Sequence, residues 1–286
     1  MSKQRGFRHL RGVIFWILSG IALVLIVAPA IAIIVSVIVK AAPVLKPTLL
    51  THTTGDPIPG LQDAIIGTAV LLLGVLVVAG PIGVLGGIYI AEMAPPRLGR
   101  VLRFFSEVLA GVPSIVVGFV GYVALVNALH WHFSLVAGIL ALSVLIIPYI
   151  TKTTEVAVSQ VPRNLREAAT AVGLSRLTAI RKVLLPPALP GIVSGLVLAL
   201  AISTGETAPL LYTAGYLSGP FKFTLVGQQI SYLTGVSYFD VQLPFSVDQS
   251  EASAAAGILI IWILVLIFAG RLITARSRQM VARLDV

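Results

Sequence analysis

Residues 155–187 read EVAVSQVPRNLREAATAVGLSRLTAIRKVLLPP and separate two long apolar segments of the chain. Gly173 divides this stretch, and glycine is typical of the position that follows the C-terminus of a helix. A second short helix is predicted over residues 176–184, because Pro186 and Pro187 should end it. The pattern therefore predicts a rigid elbow of two short amphipathic helices, set at roughly a right angle on either side of the glycine.

The chain as a whole is too apolar for a soluble protein. It has 286 residues, of which 57% are hydrophobic and 11% charged, and its mean hydropathy is +1.01. A soluble domain carries about 25% charged residues, so this chain could not cover a surface exposed to water. The absence of cysteine excludes disulfides, thiolate catalysis and cysteine-bound metals. These features predict an all-α, polytopic membrane protein.

Six apolar segments are long enough to cross a bilayer, which takes about 20 helical residues. They lie near residues 13–39, 64–91, 101–128, 133–149, 188–211 and 252–273. The first segment follows a basic N-terminus that could open a signal peptide. Its apolar stretch is longer than the core of a signal peptide, which has about 7–15 residues. We interpret it as a retained membrane anchor.

Lysine and arginine are unevenly distributed among the connecting segments. The N-terminus, the connector after the second span, the elbow region and the C-terminal tail hold four, three, six and four of them, against three in all the remaining segments. Because basic residues are retained in the cytoplasm, both termini and the elbow are predicted to be cytoplasmic. The net charge of +9 is thus a signal of topology in the lipid bilayer and predicts no nucleic-acid partner.

The elbow carries a spaced motif that resembles the EAA loop of ABC-importer permeases. The family pattern is E-A-A-x3-G-x9-I-x-L-P, and this chain departs from it in having Val for Ile. The matching residues are Glu167, Ala168, Ala169, Gly173, Val183, Leu185 and Pro186. In that family the loop fits a groove on the ATP-binding subunit. The resemblance therefore implies that these residues form a loop that couples the chain to an ATPase.

Four further segments resemble phosphate-specific transport permeases of the PstA type. They are GETAPLL at 205–211, GIYIAE at 87–92, GVPSIVVG at 111–118 and LPGI at 189–192. The likeness covers about residues 60–275. In the family an arginine often stands a few residues before GET, whereas Ala-Ile-Ser-Thr precedes it here. A partner subunit would then have to supply the positive charge that an anion needs.

The resemblance implies a type I ABC-importer permease (MetI-like) fold of six transmembrane helices in the plasma (inner) membrane. Residues 1–60 would form a cytoplasmic tail, the first anchor and an outer loop, residues 61–275 the permease core, and residues 276–286 a basic cytoplasmic tail. The implied function is ATP-driven import of inorganic phosphate. The implied partners are a dimer of ABC ATP-binding subunits, a second permease of the PstC type and an extracytoplasmic phosphate-binding protein. ATP and magnesium would bind in the ATPase subunit, and this chain would bind no cofactor.

Glu206 lies in the fifth apolar segment, where an ionised carboxylate is costly unless it faces water or a partner. It is either a structural carboxylate at a kink near Pro209 or part of the path of the anion, with Ser203, Thr204 and Thr207 beside it. Hydrogen phosphate can donate a hydrogen bond to a carboxylate and sulfate cannot. An acceptor at this position would therefore favour phosphate.

The second outer connector allows two interpretations. The second outer connector, residues 213–251, is aromatic, and a short surface helix is predicted over residues 224–233. It forms either an interfacial aromatic belt or a docking surface for an extracytoplasmic partner.

Near the membrane edge, Arg103 and Glu107 are expected to form a local ion pair, since they are four residues apart on one helix.

The sequence contains none of the common catalytic or nucleotide-binding motifs. It has no G-x4-G-K-[ST] loop, no H-E-x-x-H and no G-x-S-x-G, so we predict a transport subunit and not an enzyme, with no metal site. Three alternatives stay open: an ABC permease for another oxyanion or an amino acid, a stand-alone channel or ion-coupled carrier, and an intramembrane enzyme. A channel or carrier would not need the elbow.

Overall fold

The computed structural model describes the backbone of residues 2–282 and the side chains of residues 12–273 and 275. Within this range the regular elements are helices: α1 Ser2–Ala41, α2 Gln62–Ile88, α3 Pro96–Ala110, α4 Ser114–Gly121, α5 Leu135–Ser159, α6 Arg163–Ala171, α7 Arg176–Ala179, α8 Leu185–Gly205, α9 Ala208–Thr213, α10 Leu233–Phe239 and α11 Ser246–Ala282. The all-α prediction is confirmed. The last four residues of the predicted basic tail lie outside the described residues, and the part before them continues α11.

Five helical segments are long and apolar enough to span a membrane, and a sixth span results if one bent pair of helices is counted as a span. The five are Gly12–Val44, Gln62–Met93, Leu135–Ser159, Arg176–Gly205 and Ser246–Ile273. The bent pair consists of Pro96–Ala110 and Ser114–Ala128, whose axes meet at 94°.

The predicted third span, residues 101–128, is not one straight helix. Pro113 lacks a backbone N–H and disfavours helical backbone at the residue before it, so the chain turns between α3 and α4. Phe104 and Phe105 are more than half exposed, whereas Arg103 turns towards α5. α3 is thus an amphipathic helix suited to lie along the membrane surface, with α4 entering the bilayer.

The fourth and fifth spans extend further towards the elbow than predicted. α5 continues to Ser159, ten residues beyond the expected end at 149. Pro186 and Pro187 do not end the second elbow helix, because helix continues from Arg176 through both prolines to Gly205. A π-helical turn, Ile180–Leu184, directly precedes the prolines, and such a widened turn accommodates their missing N–H groups.

The core lies where α2, α5 and α8 pack together, and its members include Val75, Ile146 and Ala199. Close packing depends on glycines at the contacts. A Cβ on Gly87 would lie 2.6 Å from the Thr151 carbonyl oxygen of α5, too near for any side chain. These three helices therefore form a rigid unit, and the elbow lies between two of them, α5 and α8.

Candidate functional site

The first candidate site is the coupling elbow, residues 163–184. Gly173 has a φ of +72°, the left-handed region that favours glycine. Its N–H donates to the Thr170 carbonyl oxygen at 3.0 Å, and the Leu174 N–H donates to that of Ala169 at 3.1 Å. This pair of bonds is a Schellman motif, which satisfies the last carbonyls of α6 and fixes the direction in which the chain leaves it. The predicted glycine turn is confirmed.

The surface of the elbow that faces away from the membrane helices exposes apolar side chains in a strongly basic region. Val172 is 73% exposed and Leu177 60%. Of the motif residues, Glu167 and Ala168 are exposed on α6, whereas Ala169 is buried beneath them. Large exposed apolar side chains together with a small residue are typical of a surface that a protein partner covers. The rest of the motif is Val183 and Leu185, which are half-buried, and Pro186, which is exposed.

Two arginines of the elbow, Arg166 and Arg176, bond to the ends of the membrane helices. Arg166 Nη2 lies 2.8 Å from Oε1 of Glu92, in the π-helical turn that follows α2. Arg166 also donates to the carbonyl oxygens of Val158 (2.8 Å), in the last turn of α5, and of Val161 (2.6 Å), just after it. Arg176 donates to the backbone carbonyl of Glu92. These bonds connect α6 directly to the ends of α2 and α5. Sequence reasoning missed this contact, although Glu92 ends one family-like segment and Arg166 directly precedes the EAA motif.

Two ion pairs join α3 to the C-terminal half of α5. Arg103 Nε lies 2.5 Å from Glu155 Oε1, and Lys152 Nζ lies 3.3 Å from Glu107 Oε1. The expected local pair between Arg103 and Glu107 is wrong. Because α5 continues ten residues further than predicted, it brings Lys152 and Glu155 alongside α3, where they take the place of the local partners.

The second candidate site surrounds a break in the fifth span at Glu206. Gly205 ends α8, Glu206 has extended backbone with ψ of 121°, and α9 begins two residues later. The Glu206 N–H donates to the Ser203 carbonyl oxygen at 3.2 Å. The Glu206 side chain is part-buried, and among the described residues no basic group forms an ion pair with it. A broken helix with an unpaired carboxylate at membrane depth is typical of a transport path.

The outer connector folds back into the core beside Glu206. The predicted helix over residues 224–233 is wrong: α10 begins only at Leu233, and Gly227, at a φ of +80°, turns the chain before it. We call residues 228–239 the re-entrant segment. Its Leu233 N–H donates to Thr68 Oγ1 at 2.9 Å, and the Ser231 carbonyl lies so close to α2 that a Cβ on Gly67 would approach it to 1.9 Å. The sequence of this segment alone could not show that it is buried, because the burial of a loop depends on its tertiary contacts.

A narrow gap lies between the re-entrant segment and the break. It is lined by Thr68, Leu71, Leu72, Leu142, Ser203, Thr204, Glu206, Leu210, Tyr232 and Thr234. The structure thus brings together three of the four residues predicted for the path of the anion, Glu206, Ser203 and Thr204. Thr207 is half-buried at the start of α9 and does not line the gap. Thr68, Tyr232 and Thr234 are lining residues that sequence reasoning missed.

A buried carboxyl group anchors the outer end of the re-entrant segment. Burial raises the pKa of Asp240 to about 6, while the hydrogen bond that the Tyr216 hydroxyl donates to it at 3.3 Å lowers the pKa. Because the folded pKa is above the unfolded value, the folded state keeps this proton to a higher pH than the unfolded state. The contribution of Asp240 to stability is therefore fully present below about pH 4 and decreases as the pH rises through 6.

Comparison with known proteins identifies the class. The family described as binding-protein-dependent transport system inner membrane component matches residues 83–276. The fold resembles that of the MetNI methionine ABC transporter in an inward-facing conformation, with a TM-score of 0.61 and 23% identity over 76% of this chain and 94% of that one. An amino acid ABC transporter crystallised with histidines gives a TM-score of 0.54 at 21% identity. The predicted MetI-like permease fold is confirmed.

Curated relatives narrow the family. PstA 2, a phosphate transport system permease protein of Mycobacterium tuberculosis, is 44% identical over 272 residues, which cover 95% of this chain and 90% of the relative. PstA of Yersinia pestis is 34% identical over 281 residues, covering 97% and 94%. The chain therefore belongs to the binding-protein-dependent transport system inner membrane components, and among them to the PstA family of phosphate transport system permeases. It is a multi-pass membrane protein and a transport subunit.

Proposed function

We propose that this chain is the membrane translocation subunit of an ATP-driven importer of inorganic phosphate. Its role is to convert ATP hydrolysis in a partner subunit into alternating access across the membrane. The observation that carries the proposal is the coupling elbow, which exposes Glu167 and Ala168 of the EAA motif and is tied to α2 and α5 through Arg166. The printed names of the PstA relatives support phosphate as the cargo.

The proposed complex follows from what this chain lacks. It has no Walker loop, so ATP and magnesium bind in a separate ATP-binding subunit, whose dimer docks on the elbow. No basic residue lines the gap at Glu206, so a second permease of the PstC type supplies positive charge for the anion. An extracytoplasmic phosphate-binding protein delivers the substrate. This chain binds no cofactor of its own.

The proposed orientation in the plasma membrane places both termini and the elbow in the cytoplasm. It rests on the excess of Lys and Arg in the segments on that side. The Glu206 gap then lies beyond the elbow along α8, on the outer side of the core. An anion released from the binding protein would meet the re-entrant segment first, and then Glu206, Ser203, Thr204 and Thr207.

Uptake into vesicles tests the proposed function. The chain, purified together with the proposed partner subunits, is reconstituted in liposomes with the phosphate-binding protein, and labelled phosphate is followed with and without ATP. We expect uptake that requires ATP and that excess phosphate inhibits far more strongly than sulfate or molybdate does. ATP-independent uptake would instead support a channel or carrier, and inhibition by another oxyanion or an amino acid would support the other ABC cargoes.

Glu206→Gln tests the role of the carboxylate. The amide keeps the shape but can donate hydrogen bonds, so sulfate gains a partner while the P–OH group of hydrogen phosphate loses its charged acceptor. We expect phosphate uptake to fall about tenfold, the worth of one charge-assisted hydrogen bond, and the preference over sulfate to narrow. Glu107→Gln, at a side chain that is 66% exposed, is the control and should leave the preference unchanged. If phosphate uptake and the preference for phosphate over sulfate were unchanged in the Glu206 variant, the role of this carboxylate would be structural.

A further inference from the structure

Five hydroxyl groups line the narrow gap beside Glu206, and the protein itself uses three of them. Thr68 Oγ1 donates to the Ala64 carbonyl at 2.8 Å and accepts the Leu233 N–H. Thr204 Oγ1 donates to the Leu200 carbonyl at 2.8 Å. The third, that of Thr234, donates to the Glu206 carbonyl at 3.3 Å. These threonines therefore hold the helix break and the re-entrant segment in place.

The other two hydroxyls, those of Ser203 and Tyr232, form no hydrogen bond within the described part of the chain. Both residues are nearly inaccessible, at 3% and 1% exposure. Native proteins rarely leave a buried hydroxyl without a partner, so each such group needs an explanation. Alanine and phenylalanine would fill the same space with no unsatisfied hydroxyl. Both residues line a gap that Glu206 also lines, which indicates a ligand with both acceptors and a donor.

We propose that Ser203 and Tyr232 donate hydrogen bonds to the transported oxyanion while Glu206 accepts the proton of its P–OH group. The inference rests on the proposed function and names the residues that contact its substrate. Ser203 belongs to α8 and Tyr232 to the re-entrant segment, so the two donors come from opposite walls of the gap. A tetrahedral oxyanion presents acceptors in several directions, and donors on opposite walls match that geometry.

The placement of Tyr232 also ties binding to the position of the re-entrant segment. In this structure the Ser231 carbonyl rests on Gly67 and the gap is narrow. The gap has room for about one water molecule, so an anion can contact Tyr232 and Ser203 only when the segment moves away from α2. Binding of the anion then stabilises one position of the segment relative to the other, which is what a ligand must do to shift a conformational equilibrium.

Two variants that remove one hydroxyl each, Tyr232→Phe and Ser203→Ala, test the inference. The ATP-driven uptake assay is repeated with labelled phosphate over a range of concentrations, and co-purification of the other subunits reports on assembly. We expect each variant to raise the KM for phosphate about tenfold, the worth of one lost hydrogen bond, with assembly unchanged. Because the two residues lie on different elements, either variant tests the inference if the other fails to assemble.

Ser231→Ala is the matched control. The Ser231 hydroxyl is also buried and without a partner among the described residues, and it precedes Tyr232, but the residue does not line the gap. Its KM should equal that of the wild type. A wild-type KM in Tyr232→Phe and Ser203→Ala, as expected if water alone fills the gap, would overturn the inference, and so would an equal rise in Ser231→Ala. If the wild-type complex took up no phosphate, the proposed function itself would fail.

Discussion

Gly173→Val should reduce ATP-driven phosphate uptake at least tenfold and lower the yield of co-purified ATP-binding subunit. The reason is the backbone and not a clash, since no atom lies within 4 Å of the position that a Cβ would occupy. A left-handed φ of +72° costs a non-glycine residue about 1–2 kcal/mol, and a β-branched residue is the least tolerant of it. Relief of this strain opens the Schellman turn and changes the angle between α6 and α7.

Gly173→Asn is the control for this prediction. Asparagine adopts the left-handed region more readily than other non-glycine residues, so the elbow should keep its angle and most of the uptake. Both variants are scored by uptake and by the ratio of ATP-binding subunit to permease after purification. Equal activity in the valine and asparagine variants would show that the shape of the elbow does not matter for coupling.

Arg166→Met should separate ATP hydrolysis from transport. The change removes the ion pair with Glu92 and the bonds to the carbonyls of Val158 and Val161, and it leaves the Glu92 carboxylate, whose side chain is 14% exposed, without its cation. We expect a loss of about 2–3 kcal/mol at the junction of the elbow with α2 and α5. ATPase activity of the complex should persist, because the exposed face of the elbow is intact, while uptake per ATP hydrolysed falls severalfold.

Arg163→Met provides the control, since Arg163 is exposed at the start of the same helix. It removes the same charge from α6 without changing the contact to Glu92, and its ratio of transport to hydrolysis should equal that of the wild type. Parallel loss of ATPase activity and uptake in Arg166→Met would mean that the arginine supports docking or folding and does not transmit movement.

The parts of the fold that depend on residues close together in the sequence could be predicted from it. The turn at Gly173 follows from the local requirement for a residue that tolerates a positive φ, and the long spans follow from apolar length alone. The family resemblance of the elbow rested on spacing within one short stretch. The fifth span was predicted as one segment, 188–211, with a kink near Pro209, whereas the helix breaks a few residues earlier, at Glu206.

The parts that depend on tertiary contacts could not be predicted. The helix from Arg176 to Gly205 passes through two prolines because a π-helical turn precedes them, and the sequence has no simple signal for such a turn. Glu107 pairs with Lys152 across two helices, although a nearer partner exists on its own helix. The re-entrant segment reads as an outer loop, yet Tyr232 is among the most buried side chains of the described chain.

One labelling measurement tests the central claim that the elbow receives mechanical work from a cytoplasmic ATPase. The chain has no cysteine, so Ala168→Cys places a single thiol on the exposed face of α6. We predict that a membrane-impermeant maleimide labels this thiol in inside-out vesicles but not in intact cells, and that the co-assembled ATP-binding subunit protects it. Labelling in intact cells, or equal labelling with and without the ATP-binding subunit, would contradict the account.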